Sequence, residues 1–63
     1  MNNPTDRLAN YAALENGTIV SRFGSGGVVL TSKGYETLTS YGYSGTFATQ
    51  AAAEKEIARI ESF

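Results

Sequence analysis

The most constraining stretch of this chain runs from Ile19 to Thr31. Two short apolar runs, Ile19-Val20-Ser21-Arg22-Phe23 and Val28-Val29-Leu30-Thr31, flank Gly24-Ser25-Gly26-Gly27. Runs rich in β-branched residues on either side of a glycine cluster specify a β-hairpin, because glycine adopts the positive φ that a tight reversal demands. A turn closed around Ser25-Gly26 sets Phe23 opposite Val28, Ser21 opposite Leu30 and Ile19 opposite Ser32. With a side-chain period of two, Ile19, Phe23, Val28 and Leu30 then share one face, and Val20, Arg22, Val29 and Thr31 share the other. The first face is the better core candidate, because Arg22 lies in the second. That second face is still apolar enough to need covering, by a helix or by a partner. A lone hairpin is marginal in water, so further strands or helices must pack on this one.

Composition limits how much can pack. The chain has 63 residues, no cysteine and no histidine. It is read as one domain, residues 1–63, without linker or internal repeat. A domain of this size buries only about 60% of its unfolded surface. Disulfide staples and thiolate or imidazole metal sites are excluded. Self-association or a partner is a natural source of added stability for so small a core. The formal net charge is −1, against the clustered basic excess typical of nucleic-acid binders. No apolar run nears the roughly 18 residues of a membrane span. The Met1–Arg7 stretch has neither a basic n-region nor an apolar h-region, so no secretory leader and a cytoplasmic location are expected. Asn16-Gly17-Thr18 matches a glycosylation sequon and is read as a turn.

On the N-terminal side, Asn3-Pro4-Thr5-Asp6 opens a helix expected over Pro4–Glu15. Asn3 is the capping candidate, and Leu8, Tyr11 and Ala12 form the apolar stripe, with Leu14 at its edge. Asn16-Gly17 supplies the stop, with Gly17 expected in the left-handed conformation. Residues 32–45 admit two readings. Ser32 can cap a short helix over Lys33–Ser40. Alternatively Tyr35, Thr37 and Thr39 line one face of a third strand, with Glu36, Leu38 and Ser40 on the other. Threonine and tyrosine enrichment tips the reading to strand. Tyr41–Gly45 then reads as a loop or second turn, with Thr46-Phe47-Ala48 as a short returning strand. Thr49 caps a final helix over Gln50–Glu61, whose Ala53, Ile57 and Ile60 face the sheet. Glu56 and Arg59 are placed to pair at i, i+3. The expected fold is α+β: an N-terminal helix, a small antiparallel sheet of three to four strands centred on the hairpin, and a C-terminal helix on one sheet face.

The chemistry-bearing residues are sparse. Gly24-Ser25-Gly26-Gly27 lacks the Lys-Ser/Thr and the helix of a phosphate-binding loop. Serines have no histidine base, and Ser32 and Lys33 point to opposite faces of a strand. Glu54 and Glu61 lie on a solvated helix face, with Glu36 elsewhere. No catalytic residue, cofactor or metal is expected. Binding residues are easier to name. Tyr35, Tyr41 and Tyr43 cluster beside Gly42 and Gly45, and tyrosine suits interfaces because it buries area at low entropy cost and keeps a polar tip. With Arg22 they are the candidate contacts for a protein partner. The expected function is that of a small regulator or inhibitor, of the kind phages and mobile elements encode. A homo-oligomer with no separate target is a third reading, on the alanine-rich Ala51-Ala52-Ala53 face.

Two segments resemble known DNA-binding families. Leu14–Arg22 followed by Gly26–Tyr35 is similar to the end of a recognition helix, the wing and the next helix of winged-helix regulators. That resemblance implies a DNA-reading helix carrying Asn3, Arg7 and Asn10, with Arg22 on the wing. Thr46–Glu54, with Ile57 and Ile60 beyond, is similar to the last strand and helix of the arm-type domains of phage-like integrases, which enter a DNA groove with a three-stranded sheet. DNA-binding regulation is therefore the alternative function.

Overall fold

The computed structural model describes residues 6–24 and 26–62. Two helices enclose a four-stranded antiparallel sheet. The elements run α1 (Arg7–Leu14), β1 (Thr18–Phe23), β2 (Gly26–Thr31), β3 (Gly34–Thr39), β4 (Gly42–Phe47) and α2 (Gln50–Glu61). The strands lie in sequence order, β1-β2-β3-β4, so each joins its neighbour by a tight turn and no crossover is needed. The α+β expectation holds, and residues 34–39 are strand.

The central strands explain why two helices are required. Gly26 through Val29 are all buried, as are Glu36 through Thr39. Successive residues of a strand point to opposite faces, so β2 and β3 are covered on both sides. Val29 packs with Leu8, Ala12 and Leu38 beneath α1, with Tyr11 and Ile19 alongside. Val28 packs with Ala53 and Ile57 beneath α2, joined by Val20, Phe23, Tyr35 and Phe47. The face that needed a cover has α1 on it.

The hairpin register differs from the expected one. Phe23 pairs with Gly26 and Arg22 with Gly27, where the expected register set Phe23 opposite Val28, and Ser25 of the expected turn lies outside the described residues. Gly26 and Gly27 therefore belong to the strand. Their smallness is used for close approach: a Cβ on Gly27 would stand 2.2 Å from the Ser21 carbonyl oxygen and 2.8 Å from Leu8 Cδ2. α1 can settle on the sheet only over a residue without a side chain. Val20 is an extra residue between the Ile19–Val29 and Ser21–Val28 pairs. This bulge turns Ile19 to the α1 side while Val20 and Phe23 face α2, so Ile19 does not share a face with Phe23 and Val28. A second bulge falls at Ser44, between Tyr43 and Gly45. Both lie in edge strands, where bulges discourage unwanted pairing.

The described helix α1 begins at Arg7, with Asp6 as its cap. The Asp6 carboxylate accepts from the Ala9 amide at 3.1 Å, and the expected Asn3 cap lies outside the described residues. At the other end Gly17 N–H donates to Ala12 O at 2.8 Å and Asn16 N–H to Ala13 O at 3.3 Å, the bond pair of a Schellman motif. The left-handed residue is Asn16, at φ 55°, not Gly17. Glycine at 17 serves space instead, since a Cβ there would lie 2.7 Å from Val29 Cγ1. Left-handed backbone costs most side chains about 1–2 kcal/mol, and asparagine less. Asn16→Ala is therefore expected to destabilise by about 1 kcal/mol and Asn16→Gly to be neutral or slightly stabilising, measured as shifts in urea midpoint. α2 spans Gln50–Glu61 as expected, with the Thr49 hydroxyl accepting from Ala52 N–H at 3.2 Å.

The chain also contains a short internal repeat, contrary to expectation. Leu30-Thr31-Ser32-Lys33-Gly34-Tyr35 recurs as Leu38-Thr39-Ser40-Tyr41-Gly42-Tyr43. Each copy makes a two-residue turn between Thr and Gly. In each, the threonine hydroxyl accepts the amide two residues on, from Lys33 at 3.1 Å and from Tyr41 at 3.0 Å. The Thr39 hydroxyl proton goes to the Gly42 carbonyl (3.1 Å), whereas the Thr31 proton goes to the Glu36 carboxylate (2.6 Å) and the Gly34 carbonyl stays 3.5 Å away. Both glycines have positive φ, 131° and 116°. The same local chemistry thus closes both remaining hairpins. The second turn is Ser40-Tyr41, and β4 begins at Gly42, earlier than the expected Thr46.

Candidate functional site

The two repeat copies end on opposite sides of the sheet, and this decides which tyrosines are exposed. Tyr35 pairs with Leu30 and packs among Val28, Ala53, Ile57 and Phe47 under α2. Tyr43 pairs with Leu38, on the side of α1. α2 has 12 residues and α1 has 8, or about 18 Å against about 12 Å of helix. The shorter helix reaches Tyr43 with one ring only: Tyr11 and Tyr43 have centroids 6.3 Å apart at an interplanar angle of 36°. Tyr43 keeps 57% of its surface in solvent, and Tyr41 in the adjoining turn keeps 76%.

The turn that carries Tyr41 is tied down from three directions. The Arg7 guanidinium donates to the Thr39 carbonyl at 3.3 Å. The Thr39 hydroxyl accepts from the Tyr41 amide. The Glu61 carboxylate, at the end of α2, accepts from the Ser40 amide at 2.7 Å and the Ser40 hydroxyl at 3.0 Å. Beyond the turn, the Tyr43 and Thr46 hydroxyls are 2.6 Å apart. Tyr41, Tyr43, Arg7 and Tyr11 therefore occupy one corner, between the N-terminal end of α1 and the β3–β4 hairpin.

The remaining candidates lie elsewhere. Arg22 is on β1 and its guanidinium is 3.3 Å from the Asp6 carboxylate. The Ala9 amide, together with Arg22, holds the Asp6 carboxyl below its ordinary range. Asn10 sits on α1, half-buried, and Asn3 lies outside the described residues. The residue run that resembles the helix after a wing is strand β3. The run resembling the integrase domains, Phe47 through the Thr49 cap into α2, packs behind a sheet of four strands where that likeness implies three. Lys33 is in the first repeat turn, with Nζ 3.9 Å from Glu15 Oε1. Glu56 is bonded to Arg59 at 2.9 Å and accepts from the Ser44 hydroxyl at 3.0 Å, which hold its carboxyl below the usual range.

Sequence reasoning set Glu36 aside, yet it is the most buried charged group, at 1% exposure. It lies on the α1 side, opposite Val29 on β2 and Thr46 on β4. Burial pushes its carboxyl up, but hydrogen bonds from Thr31 (2.6 Å) and Tyr11, with the charge of Lys33 nearby, outweigh burial and leave it lowered. The Tyr11 phenol is pushed well above its ordinary value, by burial first and then by Glu36. The signal was present in the strand reading, which put Glu36 on one face with Leu38. Among the described residues, no three Asp, Glu, His or Cys side chains gather to hold a metal, and no helix is long and apolar enough to cross a membrane. Comparison of the chain with family models, curated proteins and solved structures returns no match.

Proposed function

We propose that this chain is a non-enzymatic binding protein, a small regulator or inhibitor that acts by occupying a surface of a protein partner. The observation that carries the reading is the exposed pair Tyr41 and Tyr43 on a turn held by both helices. Interfaces concentrate their energy in a few aromatic and arginine side chains, and a preorganised loop loses little entropy on docking. Tyr35 supports the core in this reading, and Arg22 serves α1 through Asp6.

The test compares wild type with the Tyr41→Ala/Tyr43→Ala double variant as bait in extracts of the native host. One partner retained by wild type at moderate salt and lost with the variant is expected. Strong shifts of mixed-sequence DNA at low salt, abolished as salt rises, would instead install the DNA-binding alternative, because counterion release makes such binding steeply salt-dependent.

A further inference from the structure

We infer that the corner between α1 and the β3–β4 hairpin receives an acidic peptide segment. A partner carboxylate would bind the Arg7 guanidinium while neighbouring apolar side chains lie on the rings of Tyr41 and Tyr43. The inference rests on the protein-binding reading and adds the chemistry of the partner.

Charge accounting on the α1 side supports it. Three cations lie on or against this helix. Arg22 is paired with Asp6 and Lys33 with Glu15. Arg7 is exposed, and among the described residues it has no acidic partner. Its described hydrogen bond is to a neutral carbonyl, that of Thr39. The one carboxylate on the sheet beneath, Glu36, is buried and occupied by Tyr11 and Thr31. The corner therefore presents the Arg7 cation beside exposed aromatic surface, while the Glu61 carboxylate on the α2 side of the same turn is already engaged by the Ser40 amide and hydroxyl. Arginine is suited to a carboxylate because its planar fork donates two parallel hydrogen bonds.

Thr39 links the two halves of this surface. Its carbonyl holds Arg7 and its hydroxyl holds the Tyr41 amide, so cation and aromatic ring are positioned by one residue. Tyr11 follows Arg7 by one helical turn, on the same side of α1, and its ring supports Tyr43. The repeat supplies an internal contrast. In the first copy the position equivalent to Tyr41 is Lys33, already paired with Glu15, and the tyrosine equivalent to Tyr43 is packed under α2. Only the second copy leaves both positions open.

The experiment is selection of a random dodecapeptide display library on the immobilised full chain, followed by titration of the synthesised peptides. Enriched peptides should carry Asp or Glu beside an aromatic or aliphatic residue. A charge-assisted hydrogen bond contributes about 1.5–3 kcal/mol, so Arg7→Gln should weaken their binding by about tenfold or more. Arg7→Lys should weaken it less, and Tyr43→Ala comparably to Arg7→Gln. Arg22→Gln should leave it unchanged, and circular dichroism of each variant separates lost binding from lost fold. Peptides that need Tyr41 or Tyr43 but show no acidic preference would overturn this inference and leave the protein-binding reading standing. Selected peptides that bind Arg7→Gln and Tyr43→Ala as well as wild type would overturn both.

Discussion

Tyr11→Phe is expected to destabilise the protein by about 1.5–3 kcal/mol at neutral pH, the usual worth of a hydrogen bond to a charged group. The substitution keeps the ring and its packing on Tyr43 and deletes only the hydroxyl that donates to Glu36. One carboxylate oxygen then loses its partner in a site that is 1% exposed, while Thr31 still serves the other. Against a total stability of about 3–9 kcal/mol for a domain of this length, that is a large fraction.

The pH dependence identifies the cause. The Glu36 carboxyl is lowered from 4.5 in the folded chain. Its contribution is therefore fully present above that value and is lost as pH falls through the folded-state value. In Tyr11→Phe burial is opposed by Thr31 and Lys33 alone, so the carboxyl titrates higher and less remains to lose in acid. Urea midpoints should differ widely between the two proteins at pH 7 and less in acid well below pH 4.5, as the folded-state carboxyl takes up its proton. A difference of equal size at pH 7 and in acid would mean that the hydroxyl acts through packing and not through the carboxylate.

What could be read from the residues in order follows the range of the interactions. The bounds of α2 were legible, because its Thr49 cap, its Ala53-Ile57 spacing and the Glu56–Arg59 pair are all local, but Glu61, read as solvated, instead holds the distant Ser40 turn. The hairpin was legible as a hairpin but not in register. Gly24, Gly26 and Gly27 each satisfy a turn equally well, and what draws Gly26 and Gly27 into the strand is the space that Leu8 and β3 need over them. The bulges at Val20 and Ser44 likewise answer to the edges of a sheet whose strand order is a tertiary fact. The Tyr11–Glu36 bond joins residues 25 positions apart. It becomes visible only once α1 is known to lie on the Leu38 face. The tyrosines were found as a cluster, but their division had a local signal that went unread. The Leu-Thr-Ser-x-Gly-Tyr repeat, with copies eight positions apart, marks consecutive turns at opposite ends of the sheet.

The protein's thinness makes Ile57→Ala the more damaging change. The principal extents are 31 × 26 × 14 Å, so each sheet face has a half-core of its own with few residues to share a loss. Under α2 the fully buried apolar side chains are Val28, Ala53 and Ile57, and Ile57 is the largest of them. Truncating a buried isoleucine to alanine costs about 2–5 kcal/mol, the upper end applying where neighbours cannot collapse into the space. Here they cannot collapse easily. Val28 is held in the central ladder by β1 and β3, and the helix is anchored at both ends, by the Thr49 cap and by the Glu61 bonds to Ser40. Losing α2 would also uncover Phe23, Tyr35 and Phe47 and release the turn that carries Tyr41. Ile57→Ala should therefore be substantially unfolded at 37 °C by circular dichroism, with exposed apolar surface. Leu14→Ala, at a side chain already 82% in solvent, should melt within a few degrees of wild type. A cooperative Ile57→Ala protein with a near-native midpoint would show that the α1 half-core and the sheet ladder suffice alone, and that the two faces do not depend on each other.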